Sequence, residues 1–470
     1  MAVILSKAIR NLPSKVRGSA NGSGNGRRLV NIAHLLTGSF AGSLLGLIAF
    51  ALCARSLGVA EYGQLALMLA YTRVIERIAS FQSWQPIIKY GAGLSTAEQR
   101  EDLRKLLKFG LLMDMSSALC AWLIAISGAY LAAPYLGWTA DSVHVLVLFS
   151  TVLLFQIPSM PTAVQRLAGR FSLLAYGQLG TALLRVALCF VGLMNDAGLG
   201  YFAFVWAFTQ ILGNMTLLGF ALRTLRRQGV RNILGASLAG LRQKFPGIWG
   251  FAWSSNLSLT IQSSSQELDT LLVSLLTDPA SAGLYHISKR IGRMAQQVGG
   301  LVQSVIYPDV SRLWAAGKIK EFKRLVLQVE LLLLTAGVAA VVFMAVSVDR
   351  LLLWTAGPQF LPAANLVVVQ MFAVALALSG SAARVALLAM GRPRDVLVVV
   401  VTATVIFQVT AVLLLPQIGP MGANIAHIVM GTVWMIGLGW HLHRALRASQ
   451  RERAEKTEPA DYPLLAPESA

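Results

Sequence analysis

The chain of 470 residues is 56% hydrophobic and 13% charged, with 40 Lys and Arg against 21 Asp and Glu for a formal net charge of +19. A soluble domain is nearer half apolar and a quarter charged, and here apolar runs of about twenty residues recur from Leu29 to Leu442, so an ordinary water-soluble globule is excluded. A membrane β-barrel is excluded as well, since it would alternate apolar and polar residues in segments of about ten. Nucleic acid is not the expected partner of the charge, because no basic and aromatic residues interleave as base-stacking surfaces require.

In chain order, residues 1–29 read as a basic cytoplasmic tail. The apolar stretch Ala2–Leu5 is too short for a signal peptide. The GSGNG run at 22–26 has no strand before it and reads as linker rather than phosphate loop. Twelve spans are predicted, near 32–54, 63–88, 107–132, 143–164, 173–194, 200–222, 248–275, 283–307, 327–348, 362–389, 396–415 and 421–443. Of the 40 Lys and Arg, 31 fall in the two tails and the loops after even-numbered spans, whereas the opposite loops hold only Arg55 and Arg350. Cytoplasmic loops carry the positive excess, so both termini are predicted to be cytoplasmic. The expected architecture is an all-α polytopic membrane protein with two six-helix bundles, 30–222 and 248–443, around a central cavity. Residues 223–247 link the bundles, and 444–470 form a charged, disordered tail.

The first span repeats Gly38, Gly42 and Gly46 every fourth residue, a small-residue pattern for close helix packing. In the second span Arg73, Glu76, Arg77 and Ser80 share one helical face. Arg73 lies ~15 Å into that span at the helical rise, where a cation costs about 2.5–3.5 kcal/mol on insertion scales. It should therefore face water or a partner. Asp114 in the third span is either charge-balancing, as a neutral acid bonded to a carbonyl, or ion-coupling. Arg185 in the fifth span and Arg384 in the tenth border a cavity or seal a gate, and the sequence does not rank these. The three cysteines, Cys53, Cys120 and Cys189, fall within spans and read as small hydrophobes.

The seventh span is polar enough to line a cavity. It offers Gln262 and Gln266 for hydroxyl groups, with Glu267 and Asp269 either neutralising arginines or binding a coupling cation, H+ or Na+. The eighth span carries Lys289, Arg290, Arg293, Gln296 and Gln297 on one broad face. A shift of 220 residues lays Gly63 on Gly283, and Arg73, Glu76 and Arg77 on Arg293, Gln296 and Gln297. That internal match suggests parallel repeats, with cargo held between them. One reading of the two stripes is structural: Glu76 neutralises Arg73 and the other cations snorkel. The other is functional. Five cations with one carboxylate are costly to bury unless an anion arrives, and guanidiniums suit phosphate. No catalytic motif is present and the six His are scattered, so neither an enzyme nor a metal site or other cofactor is expected.

At ARSLGVAEYGQLALMLAYTRVIERIASF and the following KYGA, the chain resembles the bacterial oligosaccharide flippases of the polysaccharide transport family, in the superfamily that also holds multidrug and toxin extruders. The resemblance continues at LDTLLV (268–273), ASAGLYHISKRIG (280–292), YPDVSRL (307–313) and AMGRPRDVL (389–397) and covers nearly the whole chain apart from the tails. It implies a multi-pass protein of the bacterial inner membrane with a cationic central cavity. The cargo it implies is a polyprenyl-pyrophosphate-linked oligosaccharide, moved from the cytoplasmic to the periplasmic leaflet by alternating access. A polysaccharide polymerase and a chain-length regulator are the partners it suggests, besides membrane lipids. Two alternatives stay open: a cation-coupled drug antiporter on the same fold, and a polytopic glycan polymerase or ligase, against which the short outer loops argue.

Overall fold

The computed structural model describes residues 24–81, 83–94, 96, 98–136, 140–253, 256 and 268–457. Among them the secondary structure is helical, with no strand. Among the described residues nine helices are long and apolar enough to cross a membrane, and the chain is an all-α polytopic membrane protein. We number the helices α1 Gly24–Ala79, α2 Trp84–Gly91, α3 Arg100–Leu136, α4 Ala140–Ser150, α5 Ser159–Leu167, α6 Phe171–Met194, α7 Leu199–Arg227 and α8 Leu241–Lys244. These are followed by α9 Leu268–Leu276, α10 Pro279–Ala315, α11 Ile319–Thr355, α12 Ala364–Ser379, α13 Ser381–Ala389, α14 Pro393–Ile418 and α15 Pro420–Thr457.

The first two predicted spans are joined within α1. Gly58, at φ 70° and ψ −178°, breaks the helical path between them. A side chain is strained in that region of backbone space, which is why glycine occupies it. The eighth predicted span is the first part of α10, and its polar stripe keeps it out of the nine apolar helices. The middle of the seventh predicted span, including Gln262, Gln266 and Glu267, lies outside the described residues.

Contacts divide the chain into two compact units. The first comprises Met1–Met294 together with Ser347–Val367 and Ala411–Ala423. Its inner end is cemented by Ile87, Leu107, Met160, Val164 and Leu225 from α2, α3, α5 and α7, all buried. The 223–247 connection packs back on that end through Leu241 and Phe245 against Leu106 and Phe109. At the outer end, connection 347–367 packs on α1. Gln359 lies against the Gly58 kink, Arg55 donates to the Trp354 carbonyl at 3.3 Å, and Phe360 meets the Tyr62 ring edge-on at 5.4 Å.

The second unit comprises Ala295–Val346, Val368–Thr410 and Asn424–Ala470. Phe322, Val326 and Leu333 of α11 pack with Ala386 and Leu387 of α13, Val399 of α14 and Leu438 and Leu442 of α15. Long apolar side chains at i, i+3 and i+4 spacings supply this contact.

Candidate functional site: an arginine cluster on an aromatic column

In the first unit α1 and α10 approach at backbone distance. The Gly283 amide nitrogen stands against Gly63, and a Cβ at Gly283 would lie 3.2 Å from the Gly63 Cα and 2.7 Å from the Val59 carbonyl. These are the two glycines that the 220-residue shift superposes, and here they are in contact. Beside the crossing, the Tyr62 hydroxyl and His286 Nδ1 form a hydrogen bond at 3.0 Å, with both side chains buried.

One turn further along α10, the Arg290 guanidinium lies over the Phe50 ring at 4.5 Å. Phe50 packs on Trp206 of α7 with centroids 4.2 Å apart, and Arg185 of α6 covers Trp206 at 4.2 Å. The result is a column of guanidinium, phenyl, indole and guanidinium contributed by four helices. Arg185 Nε also donates to the Thr209 hydroxyl at 2.8 Å. An aromatic face attracts a cation by about 0.5–2 kcal/mol, more as water is excluded, so the column fixes two positive groups without a carboxylate. The charges of Arg73 and Arg293 act on Arg290, that of Arg73 acts on Arg185, and Arg73, Arg290 and Arg293 all act on His286. Four guanidiniums thus share one electrostatic neighbourhood.

Gly46 of α1 is part of this arrangement, since a Cβ there would run into the Arg290 guanidinium. Gly46 and Phe50 are one helical turn apart, so the same face makes room for the cation and supplies its ring. The close helix packing expected of the glycine repeat is not what Gly42 shows, for it has no neighbour within 4 Å. Of the described glycines of that repeat, Gly46 makes room for a side chain rather than a helix.

Lys289 is placed differently from the arginines. It donates to Asp269 Oδ1 and to the Thr270 hydroxyl, and Tyr285 donates to Asp269 Oδ2 at 2.8 Å. Lys289 and Asp269 are 6% and 1% exposed. A buried pair with these extra hydrogen bonds is internally compensated, and in this structure Asp269 is paired with Lys289.

The other predicted residues of α1 and α3 face a polar cavity of about 210 Å³. It is lined by Glu76, Arg77, Asp114, Gln156 and Trp84, with Arg166 over the Trp84 ring at 4.6 Å. Gln156 Nε2 donates to Glu76 at 3.5 Å. Asp114 is 2% exposed. One oxygen accepts the Met160 N–H at 2.8 Å, while the other has no hydrogen-bond partner. Gln296 and Gln297 continue α10 into the second unit, Gln296 exposed and Gln297 half-buried. Arg384 also lies in the second unit, on α13, half-buried.

Sequence reasoning left Arg185 unranked and passed over Phe50 and Trp206. The available signal was a lone arginine within an apolar span, but its partners lie elsewhere in the chain. Cys53 and Cys189, one turn from Phe50 and Arg185, touch at 3.6 Å between the sulfurs and pack as the small hydrophobes expected.

The helices form a polytopic membrane protein around half-buried arginines, and its fold is that of multidrug and lipid-flippase transporters. A multidrug resistance transporter of the MATE family, in an inward-facing conformation, superposes with a TM-score of 0.68 at 11% identity, covering 89% of this chain and 96% of that one. The lipid II flippase MurJ, in an inward closed conformation, gives 0.65 at 13% identity, covering 91% and 93%. Residues 29–314 match the family described as polysaccharide biosynthesis protein, and the chain belongs to that family. It is 29% identical over 287 residues to the inner membrane protein YghQ of Escherichia coli strain K12, covering 60% of this chain and 80% of the relative. The chain is a multi-pass inner-membrane protein.

Proposed function

We propose that the protein is a flippase that carries a lipid-linked oligosaccharide on a polyprenyl pyrophosphate from the cytoplasmic to the periplasmic leaflet. The reading rests on one observation: Arg290 and Arg185 cap an aromatic column of Phe50 and Trp206 and are held there by ring faces instead of carboxylates, with Arg73 and Arg293 in their electrostatic reach. Like charges so gathered repel, and an anion relieves that repulsion. Guanidiniums bind phosphate by paired, charge-assisted hydrogen bonds. Membership of a polysaccharide biosynthesis family supports a sugar-bearing cargo, and the name of the MurJ neighbour supports a lipid-linked one. The protein acts as a transporter rather than an enzyme.

In this reading the arginines hold the pyrophosphate, with Arg77 at the neighbouring polar cavity. Lys289 serves through its ion pair, which stiffens the helix bearing Arg290. Gln262, Gln266, Gln296 and Gln297 meet sugar hydroxyls. Asp114 and Glu76 are the coupling groups, taking H+ or Na+ in the polar cavity as the two repeats rock. The aromatic contacts of Tyr62, His286, Phe50 and Phe360 close the outer side of the cluster, and release to the periplasm requires their separation. A polysaccharide polymerase and a chain-length regulator receive the product. A drug–cation antiporter on this fold would present carboxylates to its cargo, and the cluster presents cations.

The test is complementation of a deletion strain with Arg73→Gln/Arg293→Gln and, separately, Arg185→Gln. Membrane levels should match wild type, while polymer export falls by an order of magnitude or more and a lipid-linked sugar accumulates. Normal export from both variants would overturn the assignment.

A further inference from the structure

We propose that the inner end of the first unit holds an anionic glycerophospholipid of the cytoplasmic leaflet, bound through Arg100. A cavity of about 350 Å³ opens there between α2, α3, α5 and α7. That volume falls within the ~300–1,000 Å³ of small-ligand pockets. Its floor is apolar and buried, made by Leu107, Val164, Leu225 and Val230. Its mouth carries exposed Thr96, Arg100 and Gln228. An oily floor under a polar, cationic mouth has the polarity of a lipid seen from its chain to its phosphate.

Position and charge select the occupant. The floor residues sit at the ends of three candidate spans, Arg100–Leu131, Val143–Leu167 and Leu199–Arg227. The Lys and Arg asymmetry puts those ends on the cytoplasmic side, where the leaflet is anionic and attracts basic groups by about 1 kcal/mol each. Several neighbouring charges are already used by the protein. Glu101 pairs with Arg104 at 2.6 Å and Asp102 with Lys244 at 2.9 Å. Arg104 also donates to the Asn232 carbonyl at 2.8 Å, and Lys108 to that of Ala236 at 2.8 Å. Arg100 makes no ion pair with either adjacent acid. Its guanidinium rests over Gly229, 3.1–3.4 Å from where a Cβ would stand, at the rim of the cavity. A planar fork at the mouth can donate to two phosphate oxygens at once, with the Thr96 hydroxyl and the Gln228 amide as further donors. One acyl chain then lies against the apolar floor.

The experiment is native mass spectrometry of the full chain, released from nanodiscs of dioleoyl phosphatidylglycerol and dioleoyl phosphatidylcholine in equal amounts. Wild type should retain one phosphatidylglycerol in preference to phosphatidylcholine. Arg100→Gln should cut that retention by roughly tenfold, the worth of a charge-assisted hydrogen bond. Leu103→Trp, which narrows the cavity from its half-buried wall, should cut it too, and exposed Arg227→Gln should leave it unchanged. Equal retention by wild type and Arg100→Gln, or no preference between the two lipids, overturns the proposal. So does stoichiometric displacement by added undecaprenyl phosphate, which would make the site part of the cargo pathway. The readout does not depend on export, so the flippase reading and this site stand or fall separately.

Discussion

Lys289 and Arg290 are neighbours on α10, yet the fold treats their charges in opposite ways. Adjacent residues on a helix point about 100° apart, which sends one toward Asp269, Thr270 and Tyr285 and the other toward Phe50. Lys289 is a compact ammonium held by a buried carboxylate, a pairing whose charge is spent within the protein. Arg290 is a flat guanidinium spread on a ring, a contact that keeps its charge in force while shielding one face from water. A buried cation can thus be made affordable by neutralisation, or be anchored in readiness for an anion. The first gives rigidity and the second gives binding.

The contrast can be broken from the Lys289 side with the largest effect. Asp269→Asn removes the carboxylate of a buried ion pair and should cost about 3–5 kcal/mol, seen as a large fall in melting temperature in detergent. Arg290→Gln should lower stability far less while weakening binding of a soluble pyrophosphate probe, and equal destabilisation by the two would erase the distinction. Next in size is Gly283→Val at the crossing with Gly63, where the added methyls have no room. Overpacking of this kind costs about 1–3 kcal/mol, and an unchanged melting curve would refute the close approach. Tyr62→Phe removes the hydroxyl that meets His286 and should cost on the order of 1 kcal/mol, measured against Phe360→Leu as a packing control. The smallest and most selective change is Gly46→Ala. It displaces the Arg290 guanidinium while altering one methyl of volume, so pyrophosphate binding should drop a few-fold with stability within ~0.5 kcal/mol. A loss of stability with binding intact would mean that Gly46 serves helix packing after all.

Much of the site was legible because its signal is local. Arg73, Arg290 and Arg293 stood out as cations in segments otherwise suited to lipid, and their helical spacing put each set on one face. The match of Gly63 with Gly283 was visible as an internal repeat, though not that the two touch. What stayed hidden depends on partners far away in the chain. Arg185 became a member of the cluster through Trp206 and Thr209, and Gly46 acquired its role through a guanidinium 244 positions later. No periodicity reports such a pairing.

The sequence by itself determined the class: apolar runs long enough to cross a bilayer, a Lys and Arg bias that orients them, and buried cations too costly to sit in lipid. Those are properties of segments meeting a solvent, and composition at short range decides them. The tertiary structure alone decided which cation was neutralised and which was left to act, because that depends on which side chains meet across helices. Lys289 found Asp269 some 20 residues back, whereas Arg290 found a ring on the first helix, and only the packing of α1, α9 and α10 sets those distances.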